Sequence, residues 1–181
     1  MRIVKPVREP GAAGGFTLVE VIIAMLLISI AALGITYVMG LGLRHQSDAL
    51  WQSKAVALAQ AYHEEIASRR YDENAPLGGT PPCSPATVPC TAAGAFNDGE
   101  SRAEFDDVDD YDGVNDSPPV DSLGSPRLGY DSFTVEVAVA YADPALVATL
   151  GLDDPTDAKV VRVTVSNPEG SLEFTALRGN F

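Results

Sequence analysis

The densest run of reactive side chains is Glu104-Phe105-Asp106-Asp107-Val108-Asp109-Asp110-Tyr111-Asp112-Gly113, with six carboxylates in nine residues. Such an oxygen-rich run suits a hard cation such as calcium, and Asp106, Asp107, Asp109, Asp110 and Asp112 are its candidate ligands. It does not follow the EF-hand spacing. With Gly113 at the invariant glycine, Val108 falls where the first aspartate belongs and Pro119 where the bidentate glutamate belongs. The plainer reading is a solvated acidic loop turned by Asp and Gly. Beyond calcium, no cofactor is expected.

Cys83-Ser-Pro-Ala-Thr-Val-Pro-Cys90 brings two thiols close across a short, proline-bounded span. In an oxidising compartment it would close as a disulfide, contributing about 2–3 kcal/mol on the chain-entropy estimate. Two cysteines without nearby histidines make a poor zinc site, and the spacing is not that of a redox CxxC. Of the two histidines, His45 borders a long apolar run. His63 begins His63-Glu64-Glu65-Ile66, which lacks the second histidine of a zincin. No serine or cysteine has a recognisable base arrangement, so no enzyme is expected.

These residues must be placed by their elements. From Val21 to Leu43 the chain carries no charge for 23 residues, a helix of roughly 35 Å and long enough to span a hydrocarbon core of about 30 Å. Arg2, Lys5 and Arg8 precede it against Glu9, which predicts a cytoplasmic N-terminus and a chain that continues outside. The net charge is −13, and removing residues 1–15 takes away three bases and one acid to leave −15. A surface so acidic disfavours nucleic acid as a partner.

Ahead of the apolar run stands Gly14-Gly15-Phe16-Thr17-Leu18-Val19-Glu20. A secretory signal has a shorter apolar segment with its cleavage site behind it; here the distinctive residues come first. The segment resembles the class III signal of type IV prepilins and pseudopilins. That resemblance implies a leader of residues 1–15, peptidase cleavage between Gly15 and Phe16, and N-methylation of Phe16. It also implies that Glu20 meets the amino terminus of Phe16 in a neighbouring subunit. Physics agrees that Glu20 needs a partner, since a charge at the centre of a membrane-spanning helix costs about 2.5–3.5 kcal/mol, and less near the interface. A glycine before the cut leaves the backbone open to the peptidase.

Helical pattern continues beyond the apolar run. Trp51, Ala55, Leu58, Tyr62 and Ile66 form one face of an amphipathic helix over residues 44–71, following a membrane or filament-core helix over 16–43. Residues 72–129 read as an acidic loop region rich in Pro and Gly. Residues 130–181 read as antiparallel sheet: Phe133, Val135, Val137, Val139 and Tyr141 alternate inward, as do Val161, Val163 and Val165. Asn167-Pro168-Glu169-Gly170 turns the chain into a third strand, Leu172 to Leu177. The expected class is α+β, the type IV pilin fold, with the long helix packed under a small sheet of three or four strands.

Several further stretches resemble MshD-type minor pilins of the mannose-sensitive haemagglutinin (MSHA) pilus system. They are Trp51 to Tyr62, Tyr71-Asp72-Glu73-Asn74, the Cys83/Cys90 pair, Phe105 to Tyr111 and Arg178-Gly179-Asn180-Phe181. This resemblance implies a low-abundance filament component in a bacterial inner membrane, single-pass with a periplasmic head, that later enters a pilus. Its implied partners are other pilins or pseudopilins through the N-terminal helix, the prepilin peptidase, the assembly platform and membrane lipid. A type II secretion pseudopilin shares the leader and is the alternative. A membrane-tethered calcium-binding or adhesive ectodomain would leave the leader unexplained.

Overall fold

The computed structural model describes residues 15–76, 78–86 and 88–180, and the side chains of residues 41–48 are outside that description. Arg2, Lys5, Arg8, Gly14 and Phe181 lie outside the described residues. The chain divides into two compact units, Met1–Ser47 and Asp48–Phe181.

Helix α1 runs Leu18–Ala67. In the first unit its stretch Leu18–Gly40 has a mean hydropathy of 2.7 and no residue buried, long and apolar enough to cross a membrane. The polar groups inside this stretch bond to their own helix. Ser29 Oγ donates to Met25 O, and Thr36 Oγ1 donates to Ala32 O and Leu33 O. A hydroxyl bonded in this way carries no unmet hydrogen bond into an apolar surrounding. The helix runs unbroken through Gly34, Gly40 and Gly42.

In the second unit the apolar stripe of α1 covers an antiparallel sheet of order β1-β2-β3-β4: β1 Asn115–Asp116, β2 Thr134–Tyr141, β3 Ala158–Asn167 and β4 Gly170–Gly179. Ala55, Leu58, Ala59, Tyr62 and Ile66 pack with Val135, Val137 and Val139 of β2 and Val161, Val163 and Val165 of β3. The β2/β3 register sets Val135 opposite Val165, Val137 opposite Val163 and Val139 opposite Val161, so the alternating valines fall on one face. Burying each stabilises by about 1.5–3 kcal/mol relative to exposure. In β4, Leu172 and Phe174 join this core while Leu177 points outward, half exposed.

Two expectations about boundaries need correction. The amphipathic helix ends at Ala67 rather than residue 71, because the backbone of Arg70 leaves it to pair with the acidic segment: Arg70 N–H donates to Asp106 O and Val108 N–H to Arg70 O. Residues 130–181 are not sheet throughout, for helix α2, Pro144–Leu150, lies between β2 and β3. Asp143 caps it by accepting from the N–H groups of Ala145 and Leu146, Pro144 stands in its first turn, and Gly151 ends it in the left-handed region at φ 68°. The segment 72–129 has little regular structure but is no mere surface loop, since Phe96, Phe105, Val108 and Tyr111 belong to the core.

Glu65 fastens this segment to α1. It pairs with Arg102 at 3.0 Å and Arg127 at 3.3 Å and accepts from Tyr111 Oη at 2.9 Å. The Arg102 guanidinium stands over the rings of Tyr62, Phe105 and Tyr111 at 5.2, 5.4 and 4.8 Å. Cation–ring contacts of this kind are worth about 0.5–2 kcal/mol.

Candidate functional site

In the first unit the site is the start of α1. Gly15, Phe16 and Thr17 precede the helix in extended or irregular backbone, all exposed, with Phe16 82% exposed. Thr17 occupies the N-cap position, where its Oγ1 accepts from the Glu20 N–H at 3.3 Å. Glu20 is the acidic residue of the first turn, where a carboxylate also favours the helix dipole. The Thr17–Glu20 pairing therefore has a local reason besides any role between subunits. A shallow recess of about 460 Å³ is lined by Phe16, Glu20, Val21, Ala24, Met25 and Ile28. Phe16 and Glu20 thus stand on the same flank, one turn apart.

In the second unit the five aspartates singled out in the sequence are close in the chain but aimed at different partners. Asp106 pairs with Arg70. Asp107 Oδ1 accepts from the N–H groups of Asp109 and Asp110, and Asp110 Oδ2 accepts from those of Asp106 and Asp107 at 2.8 and 3.0 Å. Asp112 Oδ1 accepts from the Val139 N–H at 2.9 Å, tying the segment to β2. These bonds fold the acidic run around a short 3-10 turn at Asp109–Tyr111.

Asp109 meets a residue the sequence reading did not single out. Lys159, fully buried at the start of β3, places Nζ 2.7 Å from Asp109 Oδ1 and 3.2 Å from Asp72 Oδ2 and donates to Tyr71 O at 2.6 Å. The contact to Asp109 is a close ion pair without hydrogen-bond alignment, so both Asp109 oxygens lack a bonded donor among the described residues. The rings of Tyr71, Phe96 and Tyr141 enclose the ammonium at 4.3, 5.3 and 5.4 Å. Asp72 is better supplied: it accepts from the Asn74 and Thr91 N–H groups, Thr91 Oγ1 and Tyr141 Oη.

The protonation equilibria follow. Burial, with Asp107 and Asp72 nearby, pushes Asp109 up to about 7 against the pull of Lys159. Burial and then Asp110 push Asp107 up to about 6. Burial alone would raise Asp72, but the Asn74 N–H, Lys159 and the Thr91 N–H hold it below the ordinary carboxylate value.

Cys83 and Cys90 are joined as a disulfide, with Cα atoms 5.0 Å apart. Asn180 Nδ2 donates to Cys83 O at 2.8 Å and Thr156 O at 3.2 Å, anchoring this bridge beside the end of β4.

The signal for Lys159 was present in the sequence. Val161, Val163 and Val165 alternate inward, and the same period carried two residues back reaches Lys159, a cation at a core position that demands buried acids.

Residues 12–36 match the model of the prokaryotic N-terminal methylation motif. No curated protein and no solved structure matches the chain. A methylation motif at this position, the apolar helix it opens and the small antiparallel sheet that follows support a type IV pilin-like or pseudopilin protein, with the apolar helix as its membrane anchor.

Proposed function

We propose that this chain is a minor pilin of a type IV, MSHA-like pilus, cut after Gly15 and N-methylated at Phe16 before it enters or primes the filament. The observation that carries the reading is the methylation motif at residues 12–36, set on an exposed Gly15-Phe16 junction directly before the capped start of an apolar helix. A peptidase needs extended, accessible backbone, and an exposed segment outside the helix offers it. The helix remains after the cut as a single-pass anchor in the bacterial inner membrane, with the Asp48–Phe181 unit in the periplasm.

Assembly then follows from charge. Cleavage creates an amine at Phe16, one helical turn from Glu20 and on the same recess. In an apolar filament core, a carboxylate and an amine from adjacent subunits neutralise one another more favourably than either is accommodated alone. The partners on this reading are other pilins through α1, the prepilin peptidase, the assembly platform and membrane lipid. The head contributes binding or positioning rather than catalysis. The MSHA reading rests on the resemblance of the stretches Trp51 to Tyr62, Tyr71 to Asn74 and Phe105 to Tyr111 to MshD-type minor pilins.

The test is quantitative mass spectrometry of sheared surface filaments and of inner membranes from the native cell. The expected result is a peptide beginning at methylated Phe16 in the sheared fraction, at a small fraction of the major pilin. The same peptide confined to membranes favours the type II secretion pseudopilin. A chain still beginning at Met1 in cells with active prepilin peptidase overturns both.

A further inference from the structure

Acids outnumber bases two to one in this protein, and most cations of the Asp48–Phe181 unit hold one. Arg70, Arg102, Arg127, Lys159 and Arg162 each pair with a carboxylate. Lys54, Arg69 and Arg178 pair with none among the described residues; Lys54 donates to Gly129 O beside the Tyr130 ring, while both arginines line one cleft of about 350 Å³ where α1 gives way to the loop region and β4 ends. Their neutral contacts leave the charges unspent: Arg69 Nε donates to Tyr111 Oη at 3.3 Å, and one terminal nitrogen of Arg178 donates to Arg69 O at 3.4 Å. Arg178 Nε is buried with no acceptor among the described residues.

A buried guanidinium N–H without an acceptor is costly; Arg102 shares this feature but is paired with Glu65, whereas Arg178 has no carboxylate partner among the described residues. Ser68, Arg70, Gly78 and Gly79 complete much of the wall, and no described Asp or Glu lines it. Both glycines lack a side chain, so the wall they form is bare backbone, and both have positive φ, 93° and 72°, which disfavours any other residue there. The volume lies at the lower end of the range for small-ligand sites. Planar guanidinium forks match carboxylate and phosphate oxygens.

We propose that this cleft is an anion-binding site that takes a carboxylate or phosphate group, with Arg178 and Arg69 as its charged donors. The site is separate from the filament-forming start of α1 and does not depend on cleavage at Gly15.

The experiment uses the full chain in nonionic detergent micelles, labelled with ¹⁵N-arginine, and follows the Nε–H resonances during titration. Sodium phosphate and sodium acetate are added in separate series, with sodium chloride holding ionic strength constant. Saturable movement of the Arg178 and Arg69 signals with either anion is expected, and which anion saturates assigns the ligand's chemistry. Arg178→Gln is expected to weaken binding about tenfold or more, as loss of a charged hydrogen-bond donor does. Arg162→Gln, on an exposed pair with Glu173, leaves it unchanged. Movements that never saturate with either anion, or that persist undiminished in Arg178→Gln, overturn the site. Should Arg178→Gln fail to fold, the wild-type titration alone decides.

Discussion

Lys159 Nζ stands 2.7 Å from Asp109 Oδ1 with both side chains buried, and this contact joins the first residues of β3 to the acidic run. Asp72, just beyond α1, holds the same ammonium from the other side. A single cation thus ties together three chain segments far apart in sequence. Replacing Lys159 with Met keeps the volume but strands two buried carboxylates, a loss of about 3–5 kcal/mol. Denaturant unfolding of the full chain in detergent, read by the fluorescence of its single tryptophan, Trp51, measures it. Adding Asp72→Asn and Asp109→Asn to Lys159→Met recovers part of the loss, because the stranded charges disappear. A Lys159→Met variant within about 1 kcal/mol of wild type would show that the network contributes little.

The same network sets a pH dependence. Asp109 and Asp107, at about 7 and about 6, bind their protons more tightly in the folded chain than in the unfolded one, where a carboxyl titrates near 3.9. Stability therefore rises as pH falls from about 7 toward about 5, by about 1–3 kcal/mol. Two opposing effects bound this window. His63, held low by burial, resists protonation when folded and costs stability as pH drops through its unfolded value near 6.5. Below about 4, the stabilisation from carboxyls held low, Asp72 among them, is lost. Unfolding curves across this range are expected to peak near pH 5, and Asp109→Asn is expected to flatten the rise. A monotonic fall from pH 7 to 5 in the wild-type chain contradicts this account.

How far these features can be read from sequence depends on whether they repeat locally. The apolar run is continuous, the stripe Trp51 to Ile66 and the valine alternation in β2 and β3 are periodic, and each is found where expected. Helix α2 was missed: Asp143-Pro144 and Gly151 punctuate it, but its seven residues are too few for a periodicity signal. The acidic run shows the limit. Its composition suggests a cation site, but the partners its side chains meet, Arg70, Lys159 and the backbone of Val139, lie up to 50 positions away and are encoded by no local pattern. Arg69 and Arg178 are likewise 109 residues apart and meet only through the fold.

The turn between β3 and β4 gives a packing test. Asn167 Oδ1 accepts from the Glu169 and Gly170 N–H groups and shapes the turn. The Trp51 ring then lies against Gly170 so closely that a Cβ there would stand 3.0 Å from Cζ2. Gly170→Ala forces the ring aside and is expected to cost about 1–3 kcal/mol, as overpacking does. Trp51 emission should shift to longer wavelength as the ring becomes more exposed. The double variant Gly170→Ala/Trp51→Leu should show a smaller penalty for the alanine than the Trp51 parent does. Equal penalties in both backgrounds mean that the ring is not what Gly170 accommodates.

Glu20 has a local role in its own helix and a proposed role between subunits, and the two separate experimentally. Its backbone N–H is capped by Thr17, and its carboxylate sits in the first turn of α1. The local role stabilises the helix start by about 0.3–1 kcal/mol and does not need another subunit. The proposed role between subunits requires the charge itself opposite the amine of Phe16. Glu20→Gln keeps the side chain's size and leaves the Thr17 cap in place while removing the charge. On the proposed function, Glu20→Gln is cleaved and methylated normally, remains in the membrane fraction and falls about tenfold or more in sheared filaments, since leaving a buried amine unpaired costs on the order of 3 kcal/mol. Gly15→Val fails one step earlier, because a branched side chain obstructs the peptidase at the cut, and the chain accumulates with its leader attached. Immunoblots of membrane and sheared fractions, with mass spectrometry of the N-terminal peptide, distinguish the two stages. If Glu20→Gln enters filaments at the wild-type level, the carboxylate acts only on its own helix. Normal maturation of Gly15→Val places the cleavage elsewhere.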